Sequence, residues 1–188
     1  MSEKGIILIG PMGVGKSTIG ELIAQRLKMP QRSMDEHRWD YYNEIGYDRE
    51  YAIKLEETKG VLEVCRYWKK FEIHAVERML DEHKDSVIDF GAGHSVYEDE
   101  AYLERAKQAL TPFKNVILLL PSSDKEYSLK LLNERNNFES LDEVELNKGF
   151  IYHRSNYELA KQVVYTDGVE PENSVTEILG EIGFHSIA

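Results

Sequence analysis

The feature that most constrains this chain is a glycine-rich segment close to its N-terminus. Residues Gly10 to Ser17 have the pattern G-x-x-x-x-G-K-S. A short apolar run, 6–9, precedes the segment, and apolar residues at helical spacing follow it. The order is strand, glycine-rich loop and helix, which is the arrangement of a phosphate-binding loop. Glycines permit the positive φ angles and the close approach that backbone N–H groups need to surround phosphate oxygens.

This loop predicts a nucleoside-triphosphate site, with transfer of the γ-phosphoryl group as its chemistry. In loops of this kind the lysine, here Lys16, reaches the β- and γ-phosphates, and the hydroxyl of Ser17 binds Mg²⁺. The positive end of the following helix points at the same anion. A glycine-rich turn that binds nothing is the alternative. The residues expected to bind the nucleotide are Gly10, Met12, Gly13, Val14, Gly15, Lys16, Ser17 and Thr18.

Composition limits the class of protein. The chain has 188 residues, without internal repeats or low-complexity segments, so we expect one kinase-like domain over 1–188. Its formal charge of -11, without a basic block, argues against a nucleic-acid or anionic-membrane surface. The single cysteine, Cys65, excludes an internal disulfide and fits a reducing compartment. No segment is typical of a signal peptide or a membrane span, so we expect a cytoplasmic protein that is a monomer or a weak oligomer.

Predicted strands and helices alternate along the chain, which indicates an α/β fold with a parallel sheet and helices on both faces. Buried strands are predicted at 86–89 and 115–120. The polar segment 136–147 is predicted to be a mobile lid loop, and 148–161 is predicted to be one helix. Ligands of such folds bind at the carboxyl ends of the strands. Gly10, Asp35, 89–93 and 120–121 all fall at such ends.

The order of these elements resembles the shikimate kinase family, in the nucleoside-monophosphate-kinase-like branch of P-loop proteins. The resemblance runs from about Lys4 to Leu179. It implies a three-layer P-loop fold with a five-stranded parallel sheet and helices on both faces. It also implies ATP and Mg²⁺ as cofactors and a phosphotransferase reaction with an alcohol group as acceptor.

The resemblance assigns roles to acids near the metal and the acceptor. Shikimate kinases carry Asp-x-Asp after the second strand, and the corresponding residues here are Ser33-Met34-Asp35. Asp35 would hold the hydroxyl groups of the acceptor and help to deprotonate one of them. Ser33 stands where the family has the acid that helps to organise Mg²⁺. We expect Asp89 to supply that carboxylate beside Ser17, as an acid at the end of an apolar strand does in other P-loop proteins; a solvated aspartate is the alternative.

A cation for the acceptor is implied by a Phe-Arg-x-x-Glu pattern of the family. The best match here begins at Trp68, so that Lys69 replaces the arginine and Glu72 matches the glutamate. A lysine binds a carboxylate as a point charge, without the bidentate fork of arginine. Glu72 lies in the apolar stripe of its predicted helix, so it needs a cationic or hydrogen-bonding partner unless it reaches water.

A glycine-triplet loop lies against the acceptor in the family. The corresponding residues here are Gly91, Ala92 and Gly93, so a methyl group narrows the approach at the central position. His94 follows directly. It is either a pH-dependent contact to the acceptor or an ordinary loop histidine.

Two arginines and the lid complete the resemblance. Arg135 matches the position that stacks on adenine, and an exposed arginine at a helix end is the alternative. Arg154 matches a second ligand of the acceptor carboxylate, and an ion pair with Glu158 at i+4 is the alternative. The family lid carries an arginine that stabilises charge in the transition state. No arginine occurs in 136–147, and Lys148 is the nearest cation.

The sequence therefore predicts an ATP-dependent kinase for a small and acidic acceptor. Lys16 and Asp35 are the predicted catalytic residues, and Ser17 with Asp89 is the predicted metal site. The expected partners are ATP and a small-molecule acceptor, without nucleic acid or membrane. One alternative is a kinase for a different acceptor, such as a sugar acid, a polyol or a nucleotide. The other is a non-catalytic protein that uses ATP as a conformational switch.

Overall fold

One five-stranded parallel sheet forms the centre of the protein. The computed structural model describes residues 3–138 and 140–183. The strands are Glu3–Ile9 (β1), Gln31–Ser33 (β2), Val87–Asp89 (β3), Phe113–Leu120 (β4) and Gln162–Tyr165 (β5). Their order across the sheet is β2-β3-β1-β4-β5, and every neighbouring pair is parallel. The glycine-rich loop follows the central strand, which places it at the carboxyl edge of the sheet.

Helices connect the strands. They are Lys16–Leu27 (α1), Met34–Glu44 (α2), Arg49–Lys59 (α3), Val61–Glu82 (α4), Glu100–Leu110 (α5), Lys125–Asn136 (α6), Leu141–Tyr152 (α7), Arg154–Leu159 (α8) and Pro171–Glu181 (α9). A 3₁₀ turn, Ala92–Ser95, follows β3. Within the described ranges, no helix is long and apolar enough to cross a membrane.

Two hydrophobic cores lie on opposite faces of the sheet. Side chains alternate between the faces along each strand, so Ile7 and Ile9 of β1 pack with α2, α4 and α5. Ile6 and Leu8 pack instead with α1 and α9. The predicted three-layer α/β fold is thereby confirmed. Fully buried apolar runs of this kind are expected for a parallel sheet that is covered on both sides.

The prediction of a mobile lid loop over 136–147 is wrong for most of that segment. Residues 141–147 belong to α7, whose N-terminus carries a capping box between Ser140 and Glu143. The hydroxyl of Ser140 accepts a hydrogen bond from the N–H of Glu143, and the Glu143 carboxylate accepts one from the N–H of Ser140. These bonds satisfy backbone donors at the start of the helix, which stabilises it despite its polar sequence.

The single helix predicted over 148–161 is interrupted at His153. This residue has extended backbone angles, φ -64° and ψ 131°, and ends α7. Its Nδ1 accepts a hydrogen bond of 3.2 Å from the N–H of Ser155, which caps α8. The break places His153 in the wall of a cavity, while α8 packs against α5 and β4.

Leu118→Ala should destabilise the protein by about 2–5 kcal/mol, because it leaves a void in the core beside strand β4, where Leu118 is 0% exposed. Leu141→Ala is the matched control, since Leu141 is 87% exposed and the same change there should cost less than about 0.5 kcal/mol. Urea unfolding followed by circular dichroism measures both free energies. Equal losses in the two variants would contradict the described core.

Candidate active site

The glycine-rich loop has the backbone geometry of a phosphate-binding loop. Gly10, Gly13 and Gly15 have φ angles of 142°, 76° and 100°, which side chains strongly disfavour. Gly15 is the N-cap of α1. Because it has no side chain, it makes no capping bond to the first N–H groups of the helix. These groups and the helix dipole favour an anion at this position.

Lys16 is held inside the loop. Its Nζ donates hydrogen bonds of 2.9 Å to the carbonyl oxygen of Gly10 and 2.8 Å to that of Pro11. Burial lowers the pKa of Lys16 to about 8, although the negative charges of Asp35 and Asp89 act in the opposite direction. The side chain is therefore mostly protonated at neutral pH and loses its proton as the pH rises through about 8, and phosphate groups would favour its charged form.

Asp89 brings the loop and two strands together. Its Oδ1 accepts hydrogen bonds from the hydroxyls of Ser17, at 2.9 Å, and Ser33, at 3.2 Å. Its Oδ2 accepts a bond of 2.8 Å from Nε2 of Gln31. Asp89 is buried, so it is not the solvated strand-end aspartate of the alternative interpretation. The side chains of Ser17 and Asp89 that were expected to hold the metal are in direct contact.

A cavity of about 990 Å³ lies beside the loop, and most of the predicted acceptor residues line it. Its wall comes from α2, α4, the 3₁₀ turn after β3, and α7. The predicted acceptor residues in this wall are Asp35, Lys69, Gly91, Ala92 and Gly93. We call this space the acceptor cavity. Met12 of the glycine-rich loop lines the same space, so the phosphate site and the cavity are adjacent.

Lys69 and Glu72 form an ion pair in the wall of the acceptor cavity. The Nζ of Lys69 lies 2.6 Å from Oε2 of Glu72 and donates a further bond of 3.0 Å to the carbonyl oxygen of Gly93. Glu72 is buried, and Lys69 is the cationic partner that such a carboxylate requires. The pair neutralises most of the charge that Lys69 was expected to offer to the acceptor.

The glycines of the acceptor loop permit close packing by two carboxylates. A Cβ atom on Gly91 would lie 2.5 Å from Oδ1 of Asp35 and 2.8 Å from Nδ1 of His94. A Cβ atom on Gly93 would overlap the carboxylate of Glu72. The absence of side chains at these two positions is what lets Asp35 and Glu72 face the loop.

His94 is a neutral group in this wall. It is 1% exposed, and burial lowers its pKa to about 3. Its Nε2 lies 3.1 Å from the hydroxyl of Tyr42, while its Nδ1 has no hydrogen-bond partner among the described residues. Burial therefore favours the neutral form of His94, which argues against the pH-dependent contact considered from the sequence.

The C-terminus of α6 touches the glycine-rich loop. Nη1 of Arg135 donates a bond of 3.1 Å to the carbonyl oxygen of Gly13, and Nδ2 of Asn136 donates one of 3.1 Å to that of Met12. The structure thus brings Arg135 into contact with the glycine-rich loop. Its stacking on adenine stays a prediction.

Arg154 does not reach the acceptor cavity. Its side chain is 56% exposed and forms ion pairs with Glu100 and, at 2.8 Å, with Glu158. The surface ion pair with Glu158 was the alternative interpretation of this residue. Lys148 is also exposed, 3.9 Å from Glu145. Neither cation is in the cavity wall.

Sequence reasoning missed three residues of the site. Gln31 and Asn136 bind other members of the site through side-chain amides, and single amides give no pattern in a sequence. Arg38 lines the acceptor cavity one helical turn after Asp35. The i,i+3 spacing of Asp35 and Arg38, which places both on one face of α2, was a signal that could have indicated their contact.

These features define a P-loop nucleotide-binding protein: a parallel sheet, a glycine-rich loop after its central strand and a buried lysine. The acceptor cavity lies beside that loop. The shikimate kinase family model matches residues 12–183. The shikimate kinase of Streptomyces coelicolor is 33% identical over 92% of this chain and 91% of its own length. That of Streptomyces avermitilis is 31% identical over 95% of both chains.

The chain therefore belongs to the shikimate kinase family, and it is an ATP-dependent phosphotransferase of that type, which acts on a hydroxyl group of a small-molecule acceptor. A shikimate kinase from Acinetobacter baumannii, solved in complex with shikimate, has the same fold, with a TM-score of 0.62 and 17% identity. The matched part spans 98% of this chain and 96% of the chain of that kinase. Family membership favours a kinase over the non-catalytic switch.

The affinity for ATP should fall as the pH rises through about 8. Below this pH the free protein carries a charged Lys16, whereas above it ATP binding must be accompanied by uptake of a proton. We expect binding about 10-fold weaker at pH 9 than at pH 7. Isothermal titration calorimetry in buffers of different ionisation enthalpy measures both the affinity and the proton uptake.

The Lys16→Met variant should bind ATP more weakly at every pH, and its ATP affinity should no longer depend on pH between 7 and 9. Lys54→Met, which removes an exposed lysine of α3, is the matched control and should keep it. An affinity of the unmodified protein that is constant between pH 7 and 9 would contradict the assignment to Lys16.

Proposed function

We propose that this protein transfers the γ-phosphoryl group of ATP to a hydroxyl of shikimate or of a closely similar hydroxylated carboxylic acid. The observation that carries the proposal is the position of Asp35. Its carboxylate faces Gly91 in the acceptor cavity and is close enough to influence the pKa of Lys16 in the glycine-rich loop. A hydroxyl group bound at Asp35 would therefore face the end of the triphosphate.

One set of residues would bind the phosphates, and another would bind the acceptor. Lys16 and the N–H groups at the start of α1 would bind the phosphates and compensate the charge on the transferred group. Asp35 would orient the acceptor hydroxyl and accept its proton. Phosphoryl transfer depends mainly on the positions of the reacting groups and on electrostatics. These few residues supply the kinds of group that the reaction requires.

Ser17 and Asp89 fit Mg²⁺. They offer a hydroxyl and a carboxylate oxygen, which is the oxygen chemistry that this ion prefers. Among the described residues, the hydrogen-bond partners of Asp89 are the neutral side chains of Ser17, Gln31 and Ser33, so its carboxylate has no direct ion-pair partner and can attract a cation beside it. When bound, Mg²⁺ would neutralise charge on the β- and γ-phosphates. Ser33 stands where the family has an acid, and it would support Asp89 through its hydrogen bond. Asp89 would supply the carboxylate that the family acid provides.

The direct test is the release of ADP from ATP and Mg²⁺ with and without shikimate. A panel of sugar acids, polyols and nucleoside monophosphates follows under the same conditions. We expect shikimate to stimulate turnover and to give a phosphorylated product by mass spectrometry. Stimulation by a neutral polyol or by a nucleotide, and not by shikimate or the sugar acids, would overturn the proposal while leaving the kinase activity in place.

Asp89→Asn should raise the Mg²⁺ concentration needed for half-maximal turnover and lower kcat, each by about 10- to 100-fold. The amide keeps the shape of the side chain but removes the charge that faces the ion. Asp85→Asn is the matched control, because Asp85 is exposed just before β3 and lies outside the site. An unchanged Mg²⁺ dependence of Asp89→Asn would show that Asp89 does not hold the metal.

A further inference from the structure

Arg38 places a guanidinium group in the acceptor cavity. It lies on α2, one turn after Asp35, and its Nη1 is 3.4 Å from Oδ1 of that residue. Its side chain is 24% exposed and lines the same cavity as Lys69 and His94. It is also close enough to His94 that its positive charge helps to lower the pKa of that histidine.

Most of the hydrogen-bonding capacity of Arg38 is unused. A guanidinium has five N–H donors. Among the described residues, Nε of Arg38 is buried without a hydrogen-bond partner, and Asp35 is the one carboxylate within ion-pair distance. Lys69 differs, because its ammonium already donates to Glu72 and Gly93. Arg66, the third basic side chain of the wall, is paired with Glu63.

The guanidinium is also held in place before any acceptor binds. Its carbon Cζ lies 4.4 Å from the centre of the Trp39 ring and 5.4 Å from that of Trp68. Trp68 is itself fixed by a hydrogen bond of 3.2 Å from its Nε1 to the hydroxyl of Tyr47. A cation stacked on two aromatic rings, one of them held by a hydrogen bond, loses little freedom when it binds a ligand.

An acidic acceptor that enters the cavity needs a cation with free hydrogen-bond donors. Glu98, Asp99 and Glu145 line the mouth of the cavity as exposed acids, and they repel an anion. Two of the three ammonium donors of Lys69 are occupied by Glu72 and Gly93, and Arg154 lies on the surface with Glu100 and Glu158.

We propose that Arg38 binds the carboxylate of the acceptor, in the role that the family resemblance gave to Arg154. The inference rests on the proposed function, because it requires an acceptor that carries an acid group. One edge of the guanidinium stays with Asp35, which holds the reacting hydroxyl. The remaining N–H groups of its two terminal nitrogens form a planar fork that matches a carboxylate. Arg38 would thus determine that the acceptor is an acid.

Arg38→Gln should raise the KM for shikimate by about 10- to 100-fold and leave the KM for ATP unchanged, because a charged hydrogen-bonding partner of the carboxylate is lost. Methyl shikimate, which lacks the negative charge, is the diagnostic substrate. We expect the unmodified protein to prefer the acid over the ester in kcat/KM, and Arg38→Gln to lose most of that preference. Arg38→Lys keeps the charge without the fork and should fall between the two.

Two further variants separate Arg38 from other cations. Arg26→Gln removes an exposed arginine that bonds to Thr176 in the described structure, and it controls for the general loss of a positive charge. Arg154→Gln tests the residue that the resemblance favoured. Circular dichroism and the KM for ATP show that each variant is folded.

Three results would overturn the assignment. The first is an unchanged preference for acid over ester in Arg38→Gln. The second is an equal fall of kcat with both substrates, since that result would mean that Arg38 only positions Asp35. The third is loss of the preference in Arg154→Gln instead.

Failure of the proposed function gives a different pattern, which is visible without any variant. The unmodified protein would then show no turnover with shikimate or the sugar acids, or would prefer the ester. That outcome overturns both proposals together. A preference for the acid that survives Arg38→Gln overturns the role of Arg38 alone.

Discussion

The hydrogen bonds of Asp89 are the interaction on which the phosphate half of the site depends. One carboxylate joins the start of α1 through Ser17 to the edge strand β2 through Gln31 and Ser33. It also contributes negative charge near Lys16, where burial and two aspartates act on the pKa in opposite directions. Both the shape and the charge of this region therefore depend on one buried acid at the end of β3.

Much of the fold could be predicted because its signals are local. Apolar runs identified the central strands, and glycine spacing identified the loop. Lys16, Ser17 and Asp89 come together because they lie at or after the carboxyl ends of strands of one parallel sheet, and these ends share an edge. Glu72 was recognised as an acid in an apolar stripe, and its partner Lys69 is only one turn away. Short-range spacing was sufficient in each of these cases.

The remaining features depend on contacts that the sequence does not display. The polarity of 136–147 suggested a loop, yet the Ser140–Glu143 capping box was present and should have weighed more than polarity. Arg154 matched a motif, but its position is decided by Glu100, which lies 54 residues away. Arg38 matched none, since its environment comes from two helices and depends on Trp68 of α4. Side-chain direction, rather than element type, is what sequence patterns failed to show.

The arrangement around Arg38 also gives this protein an internal optical reporter. Trp39 and Trp68 are the two tryptophans of the sequence, and both rings contact the same guanidinium beside the acceptor cavity. The glycine-rich loop contains no indole. The intrinsic emission of the unlabelled protein, excited selectively at the indole band, therefore arises wholly from the acceptor side. Occupation of that cavity can be followed separately from occupation of the nucleotide loop, without attaching a dye.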